Sequence, residues 1–167
     1  MDHCELFGTG NGNYFQRLTT LFLLDRITVV SKKAAAKVII IITDGTEQIQ
    51  KIAGSICEVI SRLNGETVYS VKILAAEEFA GNELLPADIF ILGCEKPSPP
   101  SFTYLEELLL HINLVSRKSA LFSINEKTVK YLLKIMKDCE AKSPPPLIAG
   151  DGEVSKSVIK NWLKGFI

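Results

Sequence analysis

Residues 37–47 read KVIIIITDGTE, and the fold turns on how that stretch is read. Val38, four isoleucines and Thr43 make an unbroken β-branched run rather than an alternating one. Strands buried on both faces, as in a parallel sheet, read this way. The run stops at Asp44-Gly45 and passes into Ile49, Ile52, Ala53, Ile56, Ile60 and Leu63, spaced to line one face of a helix. A parallel strand feeding a helix places the turn between them at the carboxyl edge of an open sheet, where α/β proteins bind ligands. Function is therefore expected at this turn and its neighbours along that edge.

Working outward, the same alternation continues to the end of the chain. Strands are expected over 38–43, 67–74, 88–92, 119–124 and, very short, 147–149, with helices over 47–63, 102–114, 126–139 and 154–166. Residues 77–85 read as a turn or a stub of helix. Asn64-Gly65 ends the first helix, Gly93 closes the third strand, and a Pro-rich loop fills 94–101. Asn125 is placed to cap the helix that follows it. The third helical segment is expected to bury Leu105, Leu108, Leu109 and Ile112, and the last one Val158, Ile159, Trp162 and Leu163. This pattern specifies an α/β protein, a parallel three-layer sandwich.

The first 36 residues stand outside the alternation, so the chain divides into an extension, 1–36, and a domain, 37–167. The extension reads as an amphipathic helix over 14–24 with an edge strand at 27–30, or as a partly disordered terminus. Its apolar stripe of Phe15, Leu18, Leu21, Phe22 and Leu24 could cover a sheet edge or make a homodimer contact. Nineteen basic residues balance nineteen acidic ones, and no basic patch marks a nucleic-acid partner. Cys4, Cys57, Cys94 and Cys139 lack CxxC or CxxH spacing and read as free thiols in a reducing compartment. Asp25 and Arg26 break the apolar stretch 18–30, which is too short to span a bilayer, and no basic segment of a signal peptide precedes it. A cytoplasmic protein without a membrane partner is expected.

The segments LEEL at 105–108 and RKSALFS at 117–123 resemble the flavodoxins, in which a leucine-striped helix and a basic turn lead into an ALFS-like strand. With the first strand–turn–helix unit and the Gly150-Asp151-Gly152 turn, the resemblance covers roughly 37–167. It implies a sheet of order 2-1-3-4-5 and an ancestral electron transfer through non-covalently held FMN. It also implies that Thr43, Asp44, Gly45, Thr46 and Gln48 lie near the FMN phosphate, with Cys94, Glu95, Lys96, Pro97, Asp151, Gly152 and Glu153 beside the ring.

All three loops depart from the family pattern in the direction that weakens binding. The phosphate loop of the family reads [ST]xTGxT, whose hydroxyls and amides surround a dianion at a helix N-terminus. Here Thr43 and Thr46 match, but Glu47 stands where the glycine belongs and Ile49 where the last hydroxyl belongs. A two-residue slip restores Gly45 yet puts Asp44 in place of the central threonine. Either register sets a carboxylate against the phosphate, at a cost of a few kcal/mol at about 4 Å near the surface. The loop after the third strand carries no aromatic to stack on a flavin, and 123–126 run almost directly into a helix. FMN is expected to be weakly held or lost.

Other constellations compete. Thr9-Gly10-Asn11-Gly12 resembles a phosphate loop, but with little room for a strand before it a capping turn is the simpler reading. Asp44-Gly45-Thr46 resembles the turn of haloacid-dehalogenase-like phosphatases, with Ile42 where their nucleophilic aspartate would be. Asp44, Glu47, Glu95, Asp151 and Glu153 share one edge and could hold Mg²⁺, or simply complement helix dipoles. Neither His3 nor His111 has a visible acid–base partner, and Ser98 and Ser101 lack a nucleophile context. No catalytic residue or metal ligand is assigned. The favoured reading is a non-catalytic module acting through a protein partner. A divergent FMN-binding electron carrier, and a Mg-dependent or phosphate-handling edge, remain open beside it.

Overall fold

The computed structural model describes residues 36–63, 67–150 and 153–167. Five parallel strands form one sheet: β1 (Lys37–Thr43), β2 (Tyr69–Ala75), β3 (Ile89–Gly93), β4 (Lys118–Ser123) and β5 (Leu147–Ile148). Their order is β2-β1-β3-β4-β5, as the family resemblance implies. The helices are α1 (Glu47–Ser61), α2 (Thr103–His111), α3 (Glu126–Ile135) and α4 (Lys156–Leu163). The stub between β2 and β3 is a 3-10 turn, Gly81–Leu84.

The isoleucine run explains the three layers. Alternate residues of a strand point to opposite faces, and both faces here are covered. Ile39 and Ile41 join Ile91, Ala120 and Phe122 under α1 and α4. Ile40 and Ile42 join Phe90, Leu92 and Leu121 under α2 and α3. All four isoleucines are essentially inaccessible, so each contributes on the order of 1.5–3 kcal/mol relative to exposure. In the expected extension, the edge strand, the helix and any homodimer contact lie outside the described residues.

Element ends differ from the sequence expectation where hydrophobic spacing carries no stop signal. Helix α2 ends at His111 rather than 114 because Ile112 turns extended, with φ −107° and ψ 135°. Leu105 and Leu109 are buried as expected, while Leu108 and Ile112 are only half-buried. Helix α3 tightens into a 3-10 turn, Lys137–Cys139, and stops at Glu140, whose φ of 56° is left-handed. On α4 the buried seam is Ile159 and Leu163, followed by Phe166. Val158, expected inside, is 49% exposed, because one residue's 100° rotation from Ile159 turns it off that seam. Trp162 is held edge-on to Phe166, ring centroids 5.1 Å apart, and donates its indole N–H to the Pro145 carbonyl at 3.0 Å.

Asn125 caps α3: its Oδ1 accepts from the Thr128 N–H at 2.9 Å. Replacing Asn125 by Ala is expected to cost about 1–2 kcal/mol, read as a lower urea midpoint with an unchanged slope.

Candidate functional site

The carboxyl ends of β1, β3 and β4 are tied together through two residues, Asp44 and Glu95. Gly45 takes a φ of +81°, which lets the chain leave β1 and turn back so that Asp44 faces the start of α1. One Asp44 oxygen accepts the Thr46 backbone N–H at 3.2 Å and the Thr46 hydroxyl at 2.8 Å. The other accepts the Glu95 backbone N–H at 2.7 Å. The Glu95 carbonyl then accepts from the Thr128 hydroxyl at 3.0 Å and the Asn125 amide at 3.3 Å. Ser123 adds a stitch, donating its hydroxyl to the Cys94 carbonyl at 2.7 Å.

The position of the Asp44–Glu95 bond matters. Strand order reverses between β1 and β3, and in a doubly wound sheet that crevice is where a ligand enters. The Asp44 carboxylate bridges the loops on its two sides. It also uses the Thr46 amide and hydroxyl, groups that would otherwise point at an incoming anion. Thr43 is fully buried, and its hydroxyl donates to the Leu74 carbonyl at 3.3 Å while accepting from Gln50 Nε2 at 2.8 Å. The two threonines that match the phosphate pattern therefore have their hydroxyls engaged within the protein. These residues do not fit a bound phosphate as they stand.

Two grooves flank the bridge. One, of about 1070 Å³, is lined by Gln48, Lys51, Ile52, Glu95, Glu153 and Lys156, among others. The other, of about 450 Å³, is lined by Asp44, Thr46, Glu77, Glu95, Lys96 and the prolines that follow. No aromatic side chain lines either groove among the described residues, so neither presents a wall for a flavin ring. Lys51 pairs with Glu47 at 2.7 Å, and its ammonium holds the Glu47 carboxyl below the usual carboxylate range.

Of the residues singled out from sequence, Asp44, Thr46, Gln48, Glu95, Lys96, Pro97 and Glu153 line one or both grooves. Gly45 lies on the exposed turn, Thr43 and Cys94 are buried beneath it, and Asp151 and Gly152 lie outside the described residues. Sequence reasoning missed Gln50 and Thr128 as members of the network. A polar Gln one turn into the helix, at the border of its apolar stripe, was the available signal for the first. For Thr128, its place three residues after the cap was the signal.

Cys94 packs into the α2–α3 core with Leu92 and Phe102. Burial pushes its thiol far up, and the Asp44 and Glu106 carboxylates add to the shift. Tyr131 behaves alike: burial raises its hydroxyl, and so does its hydrogen bond to Glu106. Both groups stay protonated in the folded state at pH values where they would ionise in the unfolded chain. Their contribution to stability is thus whole below pH 9, the thiol's ordinary value, and falls as pH rises beyond it. Urea unfolding is expected to show a cost of up to about 1.4 kcal/mol per pH unit for each group, beginning near pH 9 for the thiol and near pH 10 for the tyrosine. Thiol reagents are expected to label half-exposed Cys57 readily in the native protein and leave Cys94 and Cys139 unmodified until it unfolds.

Among the described residues, no group of three or more His, Cys, Asp or Glu side chains is placed to hold a metal ion. No described helix is long and apolar enough to cross a membrane. His111 is exposed, with Nδ1 2.7 Å from the Glu107 carbonyl.

No protein-family model matches the chain, and no curated protein matches it in sequence. Solved structures do. A short-chain flavodoxin associated with a non-canonical PDU bacterial microcompartment is 14% identical, with a TM-score of 0.65 over 78% of this chain and 95% of that one. The flavodoxin of Streptococcus pneumonia TIGR4 is 15% identical, with a TM-score of 0.63 over 78% of this chain and 99% of its own. Oxidised Flavodoxin 2 from Bacillus cereus is 20% identical, with a TM-score of 0.59 over 75% and 94%. The fold is flavodoxin-like.

Proposed function

We propose that this flavodoxin-like domain has lost tight FMN binding and acts as a non-catalytic interaction or regulatory module that works through a protein partner. The observation that carries this reading is the Asp44 carboxylate spanning the β1/β3 crevice, 2.7 Å from the Glu95 amide. A protein carboxylate already sits where a phosphate would need the same donors, and like charges at about 4 Å oppose each other by a few kcal/mol. The grooves, which have no aromatic wall among the described residues, support the same conclusion.

One observation favours the runner-up, a divergent FMN-binding electron carrier. Thr46 makes no side-chain cap to α1, so the first amides of that helix remain free to meet an anion. The purified full chain is therefore titrated with FMN, following flavin fluorescence and heat. The expected result is a colourless protein with no binding tighter than about 100 µM, a free energy near −5.5 kcal/mol. A yellow protein, or micromolar affinity, transfers the assignment to the electron carrier.

A further inference from the structure

We infer that β2 is a docking edge for a second copy of this chain, paired antiparallel about a two-fold axis at Val71. The parity of the ladder sets which backbone groups are available. Lys37 donates to the Val68 carbonyl and Ala76 donates to the Thr43 carbonyl, so the even-numbered residues of β2 bond to β1. The N–H and C=O groups of Tyr69, Val71 and Ile73 therefore face outward, without a partner among the described residues. Their side chains lie on the α1 face of the sheet, only half-buried. The strand runs seven residues without proline. The strand's one charged side chain, Lys72, lies on the other face of the sheet, where it pairs with Glu83.

The sequence of the strand selects itself as partner. A two-fold at Lys72 would oppose two ammonium groups, which is unfavourable. A two-fold at Val71 instead sets Tyr69 against Ile73 of the second copy, Val71 against Val71 and Lys72 against Ser70. Aromatic and β-branched side chains pair well across strands, and about six new backbone hydrogen bonds close the ladder.

Helix α1 leaves room for the approach. Gln50 reaches the β2 side through Thr43, and Gly54, Cys57 and Ser61 continue that flank at helical spacing. A Cβ at Gly54 would meet nothing within 4 Å. Cys57 lies about 15 Å down α1 from Glu47, and Val71, level with Ile39, lies about 13 Å below Thr43. The two Cys57 thiols would thus face each other near the axis.

The test is sedimentation equilibrium of the full chain at several concentrations, with Ser70→Lys and Ser70→Glu. Ser70 is exposed and off the core, so neither change burdens the fold. The expected result is a dimer, weakened by Ser70→Lys and tightened by Ser70→Glu, with dissociation constants on the order of tenfold or more apart. In a Cys4→Ser background, a short bis-maleimide is expected to link two copies through Cys57. A monomer throughout, or a dimer indifferent to both changes, overturns the inference. So does a monomer whose Val71 amide resists hydrogen exchange, which would assign the edge to a segment of the same chain.

Discussion

Gly93→Ala is expected to lower the stability of the fold by about 3 kcal/mol or more, at the upper end of what overpacking a core costs. A Cβ at this position would stand 2.0 Å from the Phe122 ring, and two further ring carbons are within 2.5 Å. Gly93 ends β3 and pairs directly with Phe122 on β4, so the ring lies flat across the glycine. Phe122 is itself fully buried, and it packs against the isoleucines below α1. Relief would require either moving a buried aromatic or parting two central strands. Gly45→Ala makes the useful contrast, since a Cβ there meets nothing within 4 Å and the cost is only the left-handed φ, about 1–2 kcal/mol. Urea titration of both variants separates the two mechanisms. A Gly93→Ala midpoint equal to that of Gly45→Ala would mean that Phe122 swings aside freely. The same substitution should loosen the site, because the Gly93 carbonyl accepts the Asp44 amide at 3.2 Å.

The architecture was legible because its signals are unopposed. Four consecutive isoleucines after Val38 have no other economical home than a strand covered on both faces, and the α1 stripe admits only a helix. Ends were less legible. Ile112 continues the leucine spacing of α2 yet turns extended, since hydrophobic period records which side is buried and not where the backbone departs. At the site, sequence gave residue types but not directions. Asp44 reads as a free charge repelling a phosphate, whereas it is hydrogen-bonded on both oxygens. Cys94 reads as facing the ligand because it follows the strand. The parity of Phe90, Leu92 and Cys94 was the clue that its side chain continues the α2–α3 core. Thr43 matches a phosphate-loop hydroxyl, but it shares the face of Ile39 and Ile41 and so points beneath α1, where Gln50 meets it.

Asp44→Ser is expected to move stability and ligand affinity in opposite directions. Removing the carboxylate deletes three hydrogen bonds to a charged acceptor, from the Thr46 amide, the Thr46 hydroxyl and the Glu95 amide. Charge-assisted bonds of this kind contribute about 1.5–3 kcal/mol each where they are well shielded from water. Because Asp44 is only partly buried, a net loss of about 2 kcal/mol is expected. The same change frees two amides and a hydroxyl at the mouth of the β1/β3 crevice and removes a negative charge from within reach of a phosphate. That Coulomb relief, a few kcal/mol at a near-surface dielectric, corresponds to FMN binding stronger by on the order of 100-fold. Parallel titrations with FMN, riboflavin and inorganic phosphate resolve its origin. Gain for FMN and phosphate but not riboflavin places the barrier at the phosphate turn. If the variant loses stability but gains no affinity, the stitch is real and the missing aromatic walls decide the loss of flavin. If it loses neither, the bond from Asp44 to Glu95 contributes nothing in solution, and the proposal that this carboxylate closes the cofactor crevice falls with it.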